Sequence, residues 1–260
     1  MEDRKQRKNN DEEFMPDLQI AKDKEIGPLD SNYPLMKEFR EKAAGTFKHT
    51  QTLLSMVENV CAAIDMDPEV MKLAATYHDI GKTWAPQVFI ENQSGENIHL
   101  KMDPYVSYTM ITRHVSDSVV ILLNNNFPRN VMKIVSQHHG TCILRSMYER
   151  AKETNPEINE DDFRYHTGKP DSVESMILML CDHMEATSRS IYVDQKNSDV
   201  DPADLVINML HKLQDDGQFD DVHILLGTLK KIQRAVIADV ASSFQKRIAY
   251  KEDEELTKKR

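Results

Sequence analysis

The sequence predicts an all-α fold arranged as one main helical domain. Apolar residues recur at three- and four-residue steps in several separate segments, a spacing that places them on one face of a helix. No segment alternates apolar and polar residues as a half-buried strand does, and there is no repeat of fixed period. With 260 residues, 40% of them hydrophobic, the chain is long enough to bury a sizeable core.

The elements follow in chain order from these apolar faces and from residues that favour a helix start. Residues 1–30 are rich in charge and lack apolar periodicity, so we expect a flexible arm there. Asp67-Pro68 predicts a helix start because proline is favoured in the first turn, and Pro104 and Pro128 repeat this signal. The predicted helices cover residues 35–44, 47–64, 68–80, 104–124, 128–139, 143–153, 175–190, 202–213 and 221–246.

Polar segments separate these helices and set the domain limits. Residues 84–93 indicate a short helix plus loop, residues 94–103 a polar loop, and residues 155–169 a long polar loop of a length often found at functional sites. We assign residues 31–250 to the main domain and residues 251–260 to a charged tail that we expect to fray.

Composition and charge exclude several classes of function. The net charge of −10 argues against nonspecific binding of a nucleic-acid polymer, although a small anionic ligand remains compatible with it. No apolar run approaches the roughly 20 residues of a membrane helix, and the first residues lack the apolar core of a signal peptide. Cys61, Cys142 and Cys181 form no evident disulfide framework, which favours a cytoplasmic protein.

The strongest functional signal is a set of histidines and aspartates at helix ends or within apolar helices. His78 and Asp79 are adjacent, directly after an apolar run. Asp182 lies in the apolar segment MILMLCDHMEA, where an unpaired carboxylate would cost several kcal/mol to bury and therefore needs a cation or a proton donor. The candidate ligands are His49, His78, Asp79, His114, His138, His139 and Asp182.

This set favours a centre with two metal ions. Seven nitrogen and oxygen donors are too many for one tetrahedral zinc, whereas two metals bridged by an aspartate would use them all. Because the set contains no thiolate, iron or manganese is favoured over structural zinc. Each residue has an ordinary alternative, such as a dipole contact at a helix end for His138 and His139, but their joint recurrence favours the metal centre.

The order H…HD…H…HH…D resembles the HD-domain phosphohydrolases, and specifically their two-metal phosphodiesterase branch. Over about residues 33–250 the chain resembles the cytoplasmic domain of the seven-transmembrane HD family (PgpH type). The 260 residues contain no counterpart of that family's membrane part, and Ala44 stands where the family usually has proline. The motifs that carry the resemblance are GTFKH at 45–49, YHDIGK at 77–82, FIENQ at 89–93, QHHGT at 137–141, DFRY at 162–165, GKP at 168–170 and DGQFD at 216–220.

The resemblance implies an HD-domain helical bundle with a di-metal centre that hydrolyses cyclic di-AMP to linear pApA. It implies two divalent metals, iron or manganese, in a cytoplasmic domain whose partner is a small nucleotide. Asp79 would bridge the metals and act in catalysis. By resemblance, one metal would be held by His49, His78, Asp79 and Asp182, and the other by Asp79, His114, His138 and His139.

Further residues are candidates to contact the substrate. Lys82, one turn after Asp79, is expected to contact a phosphate or the attacking hydroxide, with a solvated surface lysine as the alternative. His183 is expected not to be a ligand because it points about 100° around the helix from Asp182, and His99 because it lies in a polar loop. The candidate substrate contacts are Lys82, Arg164, Tyr165, Lys169 and Arg189, with surface ion pairing as the alternative for the last four.

Two other functions remain open on the sequence. An HD-type nucleotidase or other phosphomonoesterase would need only one metal, which would leave His114, His138 and His139 without a shared role. A non-catalytic module that senses a nucleotide would have no need of all seven ligands. Metal content per chain and turnover of a cyclic dinucleotide separate these alternatives.

Overall fold

The computed structural model describes the backbone of residues 27–193 and 200–258, and the side chains of 27–191 and 200–243. Most of the predicted N-terminal arm, residues 1–26, lies outside these ranges. The all-α prediction is confirmed: the described ranges contain no strand, and one isolated antiparallel bridge joins Ile143 and Arg164. The helices are α1 Pro34–Lys42, α2 Ala44–Ala63, α3 Glu69–Tyr77, α4 Pro104–Thr112, α5 His114–Asn124, α6 Arg129–Ser136, α7 Arg145–Thr154, α8 Val173–Val193, α9 Pro202–Asp215 and α10 Leu226–Lys258.

The main core lies around α2, which packs against α3, α8 and α10. Leu53, Val57 and Val60 on the inner face of α2 are fully buried, as the three- and four-residue spacing predicts. The middle of α8, residues 176–181, is buried on all sides because helices pack around it. A smaller apolar cluster of Met147 and Phe163 joins α7 to the following loop.

The predicted helix over 104–124 is wrong in one respect, since it is two helices that break at Arg113. α4 packs against α7, whereas α5 packs against α6 and the turn after α3. α4 and α5 therefore pack against different elements, which the spacing of apolar residues within 104–124 does not reveal. The break places His114 at the first residue of α5.

The helix that leads into His78 and Asp79 ends at Tyr77, earlier than predicted, and a short 3-10 turn at Ile80–Trp84 follows. Gly81 does not end the helix; it allows this turn to lie directly against α5. A Cβ atom on Gly81 would come within 2.2 Å of the His114 carbonyl oxygen. The missing side chain therefore brings Asp79 next to His114.

Other boundaries also differ from the prediction. The polar segments contain short 3-10 helices at Ile98–Lys101 and Glu160–Phe163. His49 lies in the second turn of α2 rather than the first, because α2 begins at Ala44. The last helix continues past residue 246 to Lys258, through most of the segment assigned to the tail. In the described ranges, no helix has both the length and the apolar character of a membrane span.

Candidate metal centre

The structure brings all seven candidate ligands to one place. α2 supplies His49, and the segment after α3 supplies His78 and Asp79. His114 begins α5, the doublet 138–139 lies in the turn after α6, and α8 supplies Asp182. Within this set, three overlapping groups each have donor atoms within 4.8 Å of one another: His49, His78 and Asp79; His78, His138 and Asp182; and His114, His138 and His139.

One half of the centre lies around the carboxylate of Asp182. Its Oδ1 is 2.9 Å from His49 Nε2 and 3.7 Å from His78 Nε2. His78 Nε2 is also 3.2 Å from Asp79 Oδ2. These three side chains and Asp79 are the four residues assigned to the first metal.

The other half lies around the second oxygen of Asp79. Asp79 Oδ1 is 3.1 Å from His114 Nε2 and 3.8 Å from His138 Nε2. His139 is 18% exposed at the edge of the centre, with Nδ1 3.9 Å from Asp182 Oδ2. The two oxygens of Asp79 thus face the two halves, which is the geometry that a bridging carboxylate needs.

Backbone carbonyls fix the orientation of three imidazoles. The Nδ1–H of His78 donates to the Ala75 carbonyl (2.9 Å), that of His114 to Ile111 (2.6 Å) and that of His138 to Val135 (2.6 Å). A carbonyl only accepts, so in each neutral ring Nε2 presents a lone pair to the centre.

Two buried atoms in the centre have no hydrogen-bond partner among the described residues, namely His78 Nε2 and Asp79 Oδ1. A buried polar atom without a partner is costly. The lone pairs of His114 Nε2 and Asp79 Oδ1 meet at 3.1 Å and would repel unless a cation or a proton lies between them. The residues present therefore fit divalent cations, as the chemistry of the donor set also indicates.

Glu185 also belongs to the site, although the sequence analysis did not predict it. Its Oε2 accepts the Nδ1–H of His49 at 2.5 Å, and the side chain is buried. This contact orients His49 Nε2 toward Asp182, as carboxylates often do for metal-binding histidines. The signal was its position three residues after Asp182, which puts both carboxylates on one face of α8.

The charges of the centre match a cation site. Burial favours the neutral acid, but Lys82 and His78 outweigh it and hold the pKa of Asp79 well below its usual value. Burial and the charge of His78 lower the pKa of His138 to about 3, so that ring is neutral. Burial lowers the pKa of His78, but Asp79 and Asp182 outweigh it and raise that pKa to about 10. Without metal, His78 Nε2 therefore carries a proton instead of a free lone pair, and this positive charge partly balances the two carboxylates until a metal displaces it.

A cavity of about 490 Å³ opens beside the centre. Lys82, His114 and His139 line its inner end, and Phe89 and Leu100 contribute apolar walls. The Tyr165 ring lies over His139 with ring centroids 4.4 Å apart, and Tyr165 also lines the cavity. The cavity thus offers flat apolar surfaces next to the Lys82 ammonium and the candidate metal ligands.

Lys82 is largely buried, which is inconsistent with a solvated surface lysine. Its ammonium nitrogen lies 2.8 Å from Asp79 Oδ2 and 2.9 Å from Glu91 Oε1. Its side chain is 14% exposed. Lys82 therefore belongs to the wall between the centre and the cavity.

The other three positively charged residues that were predicted to contact substrate form contacts with other residues of the protein. Arg164 bonds to Asp216 and to the Thr141 carbonyl, which ties the long loop to the turn after the histidine doublet. Lys169 is 3.4 Å from Asp220, and Arg189 is 3.6 Å from Glu185. Ion pairing accounts for these contacts, and contact of these residues with substrate stays a prediction.

Two histidines were expected not to be ligands, and the structure places neither in the three ligand groups. His99, in the segment predicted as a polar loop, is buried, and its Nε2 lies 2.6 Å from the Val88 carbonyl. His183 Nδ1 lies 2.9 Å from the Met179 carbonyl within α8.

The family model for the HD domain matches residues 46–187 of the chain. The chain is 34% identical over 224 residues to a protein named cyclic-di-AMP phosphodiesterase PgpH from Bacillus subtilis, and 33% identical over 225 residues to its namesake from Listeria monocytogenes. These alignments cover 85% and 86% of the chain but 31% of either relative, so the chain spans about a third of their length.

The fold matches a solved structure of similar extent. The crystal structure of the L. monocytogenes PgpH HD domain in complex with cyclic-di-AMP superposes with a TM-score of 0.74 at 32% identity. That match covers 81% of this chain and 96% of the solved one.

Proposed function

Since this chain belongs to the HD-domain family, we propose that it is a metal-dependent phosphodiesterase that hydrolyses cyclic di-AMP to linear pApA. The observation that carries the proposal is the convergence of seven nitrogen and oxygen donors beside a cavity of about 490 Å³. The likeness to a domain solved with cyclic-di-AMP supports the choice of a cyclic dinucleotide. The unpaired cysteines suit a reaction in the reducing cytoplasm.

The proposed metals are two divalent ions, iron or manganese. His49, His78, Asp79 and Asp182 would hold one, and Asp79, His114, His138 and His139 the other. When bound, such metals supply Lewis-acid chemistry that activates water near neutral pH and neutralises charge on a phosphate. The preference for iron or manganese follows from imidazole and carboxylate ligands without thiolate.

The side chains around the centre have distinct proposed tasks. The imidazoles of His78, His114 and His138 would direct Nε2 toward the metals because their Nδ1–H groups donate to backbone carbonyls. Lys82 would donate a hydrogen bond to a phosphate oxygen from the wall of the cavity. The apolar walls around Phe89 and Tyr165 would take a base and exclude water.

The experiment that tests the proposal combines elemental analysis with a substrate panel. We expect two metal ions per chain and conversion of cyclic di-AMP to pApA under anaerobic conditions with Mn²⁺ or Fe²⁺. One metal per chain with release of phosphate from mononucleotides would favour the phosphomonoesterase. Tight nucleotide binding without turnover in the metal-loaded protein would favour the sensing module.

A further inference from the structure

The segment 89–93 (FIENQ) supplies none of the seven donors, yet it is tied to the helix that carries His49. Asn92 Oδ1 accepts hydrogen bonds from the backbone amides of Gly45 and Thr46, at 2.9 and 3.1 Å. It thereby satisfies free amides at the N-terminus of α2. Asn92 Nδ2 also donates to Thr46 Oγ1 at 2.8 Å.

The contact between this segment and α2 depends on Gly45. A Cβ atom at Gly45 would lie 1.8 Å from the Glu91 carbonyl oxygen, so any other residue would push the segment away. Thr46 Oγ1, next in the chain, donates to Glu91 Oε1 at 2.9 Å. The close approach therefore fixes both the backbone and the carboxylate of Glu91.

The carboxylate of Glu91 holds one side of Lys82, and Asp79 holds the other. The two oxygens lie 2.9 and 2.8 Å from the ammonium nitrogen, and the side chain of Glu91 is 13% exposed. The Phe89 ring centroid lies 4.9 Å from the same nitrogen. An ammonium has three N–H donors, so these two carboxylates leave one for a ligand in the cavity that Lys82 lines.

Glu91 matters most when a metal binds Asp79. A lysine paired with Asp79 alone would compete with the metal for Oδ2, and its long side chain would lose its position once the metal displaced it. With Glu91 as second partner, the ammonium stays at the cavity wall. The Glu91 carboxylate also offsets the positive charge of Lys82, which limits the repulsion between Lys82 and the metals.

We propose that Glu91 is a positioning residue that holds the Lys82 ammonium at the boundary between the metal centre and the substrate cavity. The proposal rests on the proposed function in one respect, since it takes Lys82 as the group that meets the substrate phosphate. Glu91 itself touches neither metal nor reacting atoms in this role and acts through Lys82.

A double-mutant cycle of Glu91→Gln and Lys82→Ala tests the proposal on cyclic di-AMP hydrolysis. In the wild-type background we expect Glu91→Gln to lower kcat/KM by about ten- to a hundredfold, because a displaced catalytic group is costly. In the Lys82→Ala background we expect a change of less than about twofold, since there is no ammonium left to position. An equal loss in both backgrounds would overturn the proposal and assign Glu91 a structural role.

Glu38→Gln is the matched control. It makes the same chemical change in an exposed ion pair, 2.7 Å from Lys42, at a residue that belongs neither to the candidate ligand groups nor to the cavity lining. We expect it to leave kcat/KM unchanged. Glu91→Asp keeps the charge on a shorter side chain and should restore part of the activity that Glu91→Gln loses; no restoration would contradict a positioning role.

Measuring Mn²⁺ affinity for the same set of variants distinguishes a failure of this proposal from a failure of the proposed function. Glu91→Gln should weaken Mn²⁺ binding in the wild-type background, where Lys82 then pairs with Asp79 alone, and should leave it unchanged in the Lys82→Ala background. Equal weakening in both backgrounds would mean a charge effect without positioning. If no cyclic dinucleotide is cleaved, the proposed function fails, and this measurement still decides the role of Glu91.

Discussion

Asp79 is the residue on which both halves of the centre depend, because each of its oxygens faces a different group of histidines. Oδ1 lies near His114 and His138, and Oδ2 near His78 and Lys82. A third buried carboxylate, that of Glu185, reaches the centre only through His49. The site thus contains several buried carboxylates whose negative charge divalent metals would offset.

Substitution of Asp79 by Ala should remove both metals and all hydrolysis. The change deletes the proposed bridging ligand while leaving the segments that carry the other six donors. Elemental analysis gives the metal content, and far-UV circular dichroism checks that the helical fold persists. Hydrolysis retained by a folded variant would rule out the bridging role.

Substitution of Glu185 by Gln should weaken metal binding by about 10- to 100-fold, the usual effect of losing a partner that orients a metal-binding histidine. The amide is isosteric but carries no charge, so His49 Nδ1–H loses a charged acceptor at 2.5 Å. Isothermal titration with Mn²⁺ measures the change. Unchanged Mn²⁺ affinity would mean that Glu185 does not help His49 to bind metal.

At the scale of the elements, the centre exists because short segments between helices pack closely. The Ile80–Trp84 turn lies against the start of α5, and the Gly81 amide donates to Ser118 Oγ at 2.9 Å. This contact sets the distance between Asp79 and His114. α5 makes this contact, whereas α4 packs against α7.

Substitution of Gly81 by Ala should destabilise the protein by about 1–3 kcal/mol, as overpacking does, and should also weaken metal binding. The new Cβ would meet backbone atoms of α5 at 2.2 and 2.5 Å, so the turn must shift and carry Asp79 with it. Chemical denaturation and Mn²⁺ titration measure the two effects.

Gly227→Ala is the control for this change. Gly227 lies in α10, and beyond its chain neighbours and its own helix backbone no described atom lies within 4 Å of the position that a Cβ would take there, so alanine should be neutral or slightly stabilising. A Gly81→Ala variant that matched it in both stability and metal affinity would contradict the role of close packing.

At the scale of the whole molecule, the ligands come from five separate parts of the chain between residues 49 and 182. Metal binding at these residues would therefore link α2, the segment after α3, α5, the turn after α6, and α8. The acidic surplus, −10 overall, coexists with the Lys82 ammonium at the wall of the cavity. Such an arrangement suits a compact anion better than a long polyanion.

Mn²⁺ should raise the melting temperature, and the gain should be larger at pH 8 than at pH 5.5. A ligand that binds only the folded state stabilises it, by about 2.7 kcal/mol at a concentration of 100 Kd. Metal must displace the proton of His78, whose pKa is raised to about 10 in the metal-free protein, so lower pH favours the proton. Thermal melts with and without Mn²⁺ at both pH values measure this.

Asp79→Ala is the control for the melting experiment, because it should show no gain with Mn²⁺ at either pH. A gain in the wild-type protein that is the same at pH 5.5 and pH 8 would contradict displacement of a histidine proton. A chelator should reverse the gain.

The sequence by itself determined the helical class, most helix positions, and the seven candidate ligands. Apolar spacing reports which face of a helix is buried, and polar residues on a buried face stand out because their burial is costly. Asp182 within α8 and the pair His78 and Asp79 after α3 were found in this way. The HD family followed from the order of these residues, and the match over residues 46–187 confirmed it.

Only the tertiary structure decided how these residues meet. It showed the two oxygens of Asp79 facing two groups of histidines, the burial of Lys82 between two carboxylates, and the role of Glu185 behind His49. It also showed Arg164 engaged with Asp216. The physical reason is that periodicity describes one helix at a time, whereas these contacts join segments up to 136 residues apart and arise only when the helices pack.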